Sequence, residues 1–333
     1  MRRIILAAMA VAGVLACSGA DEPHNAARVW QSGSWHEIPQ AGAAGLVDRP
    51  TSIAASPGAV YVFNASPKTI VAIAPDGHLL WRYAPADSVR FSDDSSVALA
   101  ADSAGRVLVA DLAGGHILML SPLGGLDRVF RIHNRLHLAV RGDDWFWGAS
   151  LLGSAPSLFD TLGRRALDLT LPPTLGGGRN TRGDARLAFA HDTLVVAYMW
   201  GGHLLIVAGA QPSARDVPAI EQRPFGEFHL DTVVVDGQSV PAFRADSTDR
   251  PATLSMAVDG GLIYDLYWNA QGAADDHHRT LDMYDMAKGS YVGSRRLPLP
   301  CKEIAVRDGV LYGLGDDGGL HAWQWSPGSA TPH

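Results

Sequence analysis

Apolar residues in this chain come in short runs. From Thr51 onward, stretches of about five residues rich in Val, Ile, Leu and aromatic side chains alternate with turns of Gly, Asp and Pro. No long stretch outside the first residues shows a helical period, so the pattern predicts strands.

The runs repeat in an order. A first strand with a small residue at its centre occurs as TSIAAS (51–56), VALAAD (97–102), LHLAVRG (136–142), RLAFAH (186–191), LSMAVD (254–259) and EIAVRD (303–308). A tight turn follows each, then VYVFN (60–64), VLVAD (107–111), WFWGA (145–149), LVVAY (194–198), LIYDL (262–266) and VLYGL (310–314). Third strands read TIVAIA (69–74), HILMLS (116–121), SLFD (157–160), HLLIVA (203–208), TLDMYD (280–285) and LHAWQW (320–325). A more polar fourth strand closes five copies, as in HLLWRYA (78–84), LDRVFRI (126–132) and SRRLPL (294–299).

The aligned alanines Ala54, Ala100, Ala139, Ala188, Ala257 and Ala305 recur at the blade period of a propeller. Small residues suit the innermost strand, where blades crowd the axis. The reading is an all-β fold, a six-bladed β-propeller over residues 28–326, with a tail at 327–333. The sixth copy lacks a fourth strand. RVWQSGSWHEI (28–38) is expected to supply it by pairing with Leu320 to Trp325, which also hides an edge that would otherwise template aggregation.

These repeats resemble the six-bladed propellers of the NHL and TolB-like group. APDGHLLWRY and RDGVLYGL are similar to repeats of outer-membrane assembly propeller lipoproteins. The group spans lactonases, ligand binders and scaffolds, so the resemblance implies a fold and leaves the activity open. Its lactonase members hold calcium with acidic and amide side chains around the channel. The inner strands here offer mostly Ala, Ser, Leu and Val, with Glu303 and Arg186 as isolated exceptions.

The N-terminus reads as an address. Arg2 and Arg3 precede an apolar segment, Ile4 to Leu15, that is too short to span a bilayer and ends in VLAC. It resembles a bacterial lipoprotein signal. Residues 1–16 are then the signal peptide, Cys17 is the lipidated residue and 17–27 form the tether. An ordinary cleaved signal is the plainer alternative. The expected site of action is the extracytoplasmic, periplasmic side of a membrane. The second cysteine, Cys301, then has no disulfide partner and is expected to be a buried thiol.

Charge narrows the partners. The chain carries 34 acidic and 27 basic residues, and Arg2 and Arg3 leave with the leader. A mildly acidic domain with scattered Arg does not fit nucleic acid, which needs clustered cations against phosphate.

Connection lengths divide the two faces. Turns after first and third strands are short, as in SPGA (56–59), HDT (191–193) and APDG (74–77). The long connections, 85–94, 172–184, 221–250 and 268–279, all follow second or fourth strands and so share the other face. Within them, FHLDTVVVDGQSVPAF is expected to form its own hairpin. The tether is expected to enter on the short-turn face, spanning at most about 35 Å from the lipid. The loop-rich face would then point away from the membrane.

Candidate chemistry is sparse. Asp275, Asp276, His277 and His278 are the densest polar cluster. Carboxylate and imidazole bind zinc, but adjacent residues rarely all ligate one ion, and neither HExxH nor paired CxxC is present. The cluster is read as a solvated loop, with a metal or partner contact as the alternative. Tyr198, Trp200, Tyr267 and Trp268 end strands beside the loop-rich face and would offer a platform to a protein or sugar. Trp145 and Trp147 are equally suited to packing between blades. GLGDDG (313–318) has GxGxxG spacing but no following helix, so it reads as a hairpin turn. No cofactor motif is found and no cofactor is expected. The leading expectation is a non-enzymatic, membrane-tethered scaffold that docks an envelope protein. A propeller hydrolase or a carbohydrate or small-ligand binder is the alternative.

Overall fold

The computed structural model describes residues 26–39, 45–86, 91, 97–111, 114–131, 136–142, 145–150, 155–171, 185–209, 213–221, 229–235, 238–244, 251–268 and 277–328. Cys17, Asp275 and Asp276 lie outside the described residues. Among those described, no helix is long and apolar enough to cross a membrane.

The described chain forms six four-stranded antiparallel sheets and one separate two-stranded hairpin. Blade 1 runs outward from Pro50–Ser56 through Ala59–Ala65 and Lys68–Ile73 to Leu79–Tyr83. The other inner strands are Val97–Ala101, Leu136–Val140, Ala185–Ala190, Thr253–Asp259 and Cys301–Arg307. The aligned alanines share one register, each facing a second-strand residue: Ala54 opposite Tyr61, Ala100 opposite Leu108, Ala139 opposite Trp147, Ala188 opposite Val195, Ala257 opposite Tyr264 and Ala305 opposite Tyr312.

The core is divided by blade interface. Each of six apolar clusters joins the facing sides of two neighbouring blades. One unites Ile53, Val60 and Val62 of blade 1 with Ala305, Tyr312 and Leu314 of blade 6. The ring is therefore closed, and the molecule is a six-bladed β-propeller. Alternation within each strand sends successive side chains to opposite interfaces, which is why the strands are apolar on both faces.

The closing strand is Gly33–Glu37, paired antiparallel with Leu320–Pro327 in the register Gly33 opposite Pro327 and Glu37 opposite Trp323. Trp35 and Trp325 meet edge-on at 5.0 Å, and the Arg295 guanidinium lies 4.7 Å above the Trp325 ring. Gly33 has φ +155°, and a Cβ there would lie 2.4 Å from the Trp325 ring. Only glycine fits that start.

Two details differ from the sequence expectation. The fourth strand of blade 5 is Tyr291–Arg296, three residues earlier than SRRLPL suggested. A bulge at Gly293 interrupts its alternation and disguises its start. The chain also reaches the closing strand by an unexpected route. Residues 26–32 lie along the outer edge of blade 5, where Trp30 forms a parallel bridge with Ser294 and Ala26 donates to the Ile220 carbonyl at 3.2 Å. Ile220 follows the fourth strand of blade 4, Ser213–Pro218, on the side of the long connections. The described chain thus begins at Ala26 between blades 4 and 5, and Gly33 enters the closing strand opposite Pro327, at the short-turn end of blade 6.

The hairpin pairs His229–Val235 with Gln238–Arg244, as the sequence suggested, and joins no blade sheet. GLGDDG is likewise a turn, between Val310–Gly315 and Leu320–Pro327.

Candidate functional site

Tyr198 and Tyr267 do not form a surface platform. Both are buried: Tyr198 packs among Trp147, Leu194 and Leu205 between blades 3 and 4, and the Arg28 guanidinium sits 4.7 Å over the Tyr267 ring. Their position in the alternation aims them at a neighbouring blade. Trp200 and Trp268 are half-buried. Trp145 is partly exposed, while Trp147 is core.

Trp268, His277 and His278 do come together. Trp268 meets the His277 ring at 5.8 Å and the His278 ring edge-on at 4.5 Å. His278 Nδ1 lies 3.2 Å from Asp316 Oδ2, and its carbonyl accepts the Cys301 N–H at 2.8 Å. This cluster ties the long connection of blade 5 to the GLGDDG turn of blade 6, a role for Asp316 that the sequence reading did not assign. Among the described residues, no group of three or more His, Cys, Asp or Glu is placed to hold a metal ion.

Between blades 4 and 5 lies a buried charge cluster. Arg28 Nε donates to Asp282 Oδ1 at 3.0 Å, and Arg28 Nη1 to Glu221 Oε2 at 2.8 Å. Ser294 Oγ also donates to Asp282. Burial works against the Arg28 charge, but the two carboxylates more than offset it and raise its pKa. Asp265 stands opposite Asp282 across the strand pair. Burial, then the Asp282 charge, pushes its carboxyl well above the ordinary range, which keeps it neutral.

The channel contains the other polar assembly. Two residues before each aligned alanine stand Ser52, Ala98, His137, Arg186, Ser255 and Glu303, one per blade. Glu303 and Arg186 are therefore not isolated, as the sequence reading had them, but members of one layer. Ser52 Oγ donates to Glu303 at 3.2 Å and accepts the Leu99 N–H at 3.1 Å. Ser255 Oγ accepts the Ile304 N–H at 3.1 Å. Arg186 Nε donates to the Leu254 carbonyl at 2.9 Å, and its Nη1 lies 3.0 Å from His137 Nδ1.

Each bond runs to the next blade. Inner strands have a partner on one edge only, and their second edge faces the channel with polar groups that need satisfying. The layer supplies those bonds. Ala98 has no polar side chain and is the gap in it. Glu303 is half-buried. Burial lifts its carboxyl to about 7 against the opposing Arg186 charge and the bonds from Ser52 and Ile53.

Cys301 opens its strand, as expected, and packs against Leu281 and Trp323. Burial, with Asp316 and Asp317 nearby, pushes its thiol up to about 12, so it is no nucleophile at neutral pH.

No family model matches the chain, and no curated protein matches it by sequence. Solved structures do resemble it. Virginiamycin B lyase from Staphylococcus aureus superposes with a TM-score of 0.52 at 10% identity, covering 87% of this chain and 99% of the lyase. The Cps50 (Swd1) β-propeller domain of Myceliophteria thermophila gives 0.52 at 13%, with 87% and 99% covered. A structural genomics protein from Bacteroides thetaiotaomicron gives 0.54 at 11%, with 89% and 73% covered. At these identities the likeness is one of fold, and it agrees with the propeller built above.

Proposed function

We propose that the protein is a non-enzymatic binding or scaffold subunit, tethered to a membrane through Cys17, that docks an envelope protein through its loop-rich side. One observation carries this reading: the ring's elaboration is one-sided. The short turns are closed tightly, several by residues with positive φ such as His191, Asp192 and Asp308. The opposite connections include an independent hairpin, His229–Arg244, and the Trp268–His277–His278 cluster. A rigid ring with its insertions gathered on one side suits recognition of a large partner.

A photocross-linking residue at position 239 in the hairpin or 277 beside Trp268 should capture a discrete protein in intact envelopes. The same residue at position 58 or 103, in short turns, should not. Capture from the short turns alone would remove this reading.

A second reading rests on Glu303. A carboxyl titrating near neutrality in the field of Arg186, which itself meets His137, has the ingredients of acid–base chemistry in a channel hydrolase. Against it, the layer's side chains already serve neighbouring strands. Intact partner capture by Glu303→Gln would favour the scaffold, whereas loss of a hydrolytic activity in that variant would favour the enzyme.

A further inference from the structure

The channel holds a cavity of about 460 Å³ walled by the inner strands of all six blades. Its wall begins just beyond the polar layer and ends at Ser103, Gly142 and His191, in turns between first and second strands. It therefore opens on the short-turn face, away from the long connections. The free strand edges present N–H and C=O groups alternately, so the backbone wall is neutral in sum. Charged side chains at the mouth set its preference.

Three such side chains line the cavity: Asp102, His191 and Arg307. Asp102 is already satisfied. Its Oδ1 accepts the N–H groups of Ala104 at 2.9 Å and Arg106 at 2.8 Å, and its Oδ2 accepts Arg106 Nε at 2.7 Å. Arg307 is not. Its Nε is buried and makes no hydrogen bond. The nearest carboxylate, Asp308, is 3.6 Å away and largely in solvent. The other acids of this rim are engaged elsewhere, Asp192 with Arg141 at 3.6 Å and Asp259 with the Gly309 N–H at 2.9 Å, and neither lines the cavity. A cation paired only loosely, at the mouth of a protein-walled recess, is felt more strongly than one on an open surface.

We propose that this cavity binds a small anion bearing carboxylate or phosphate groups, with Arg307 as its principal charge and His191 and free backbone N–H groups as further donors. The site is independent of protein docking on the loop-rich side. It gives the two faces separate tasks, one for a macromolecule and one for a metabolite-sized ligand.

Calorimetric titration of the full chain with citrate and with inorganic phosphate, at low ionic strength, tests it. Saturable one-to-one binding of at least one anion is expected, tenfold or more weaker in Arg307→Gln and largely retained in Arg307→Lys. Arg164→Gln, on the outer wall, should bind like the wild type. No saturable binding of either anion, or unchanged binding by Arg307→Gln, overturns the site. A measurement on the wild type needs no variant to fold. The anion that binds should shield Arg307 from phenylglyoxal, read by peptide mass spectrometry, and absence of shielding equally overturns the proposal. Photocross-linking from position 239 should be unaffected by Arg307→Gln, so failure of this site and failure of the docking reading are told apart.

Discussion

Glu303 and Asp282 are both carboxylates drawn out of bulk water, yet they are held in different ways. Asp282 lies in a dry interface and is met by a full charge, Arg28, which arrives from the far end of the sequence. Glu303 feels the Arg186 charge without a direct ion pair to it and accepts its hydrogen bonds from neutral donors, Ser52 Oγ and the backbone of Ile53. The first arrangement fastens one segment to one interface. The second spreads modest hydrogen bonds around the ring. A charge buried beside a single counter-charge fails completely when that partner is removed, while a distributed layer fails by degrees.

The variants that break this contrast differ in size. Arg28→Ala should cost the most, about 3–5 kcal/mol in a urea melt, because it leaves Asp282 buried and uncompensated. Adding Asp282→Asn to that variant should return much of the loss. If Arg28→Ala costs no more than an exposed pair, the fastening is not what it appears from the geometry.

Glu303 should reveal itself through pH. Its pKa is raised in the folded protein, from an ordinary 4.5 to about 7. The folded state therefore binds the proton more tightly than the unfolded one. Its contribution is fully favourable below pH 4.5 and is lost as pH rises through 7, a fall of about 3 kcal/mol by pH 8. Glu303→Gln should remove that part of the slope in melts compared at pH 5 and pH 8. An unchanged slope would mean that the carboxyl is freely hydrated in the folded protein.

Gly33→Ala should cost about 1–3 kcal/mol, by overpacking against Trp325. Its effect should appear as loosened pairing of Gly33–Glu37 in hydrogen exchange. Ala98→Ser is the smallest test. It places a hydroxyl at the gap in the polar layer and should add about 0.5–1 kcal/mol if the layer's work is to satisfy strand edges.

The repeated strands were legible because a propeller writes the same instruction six times. Each inner strand needs a small residue at one level, and Ala54 through Ala305 supply it. The closing strand was legible because one copy lacked its fourth. The polar layer is present in the sequence as well, two residues before each alanine. It carries no recognisable signature there, because Ser52, His137, Arg186, Ser255 and Glu303 differ in chemistry and coincide only in register. Arg28 gave no such signal. It lies far from Asp282 in sequence, and only the path of residues 26–32 across blade 5 brings them together. Tyr198 and Tyr267 mislead for a related reason: a strand's end suggests exposure, but the interface each side chain meets is set by alternation.

The closing strand also orders events in time. Gly33–Glu37 is among the first parts of the ring to be made, and its partner, Leu320–Pro327, among the last. Blade 6 has no stable outer edge until both are present, and the interface between blades 6 and 1 cannot form without blade 6. A nascent chain therefore cannot lock its ring until Leu320–Pro327 has been made and is free to pair, so the first strand of the clasp waits through the synthesis of all six blades.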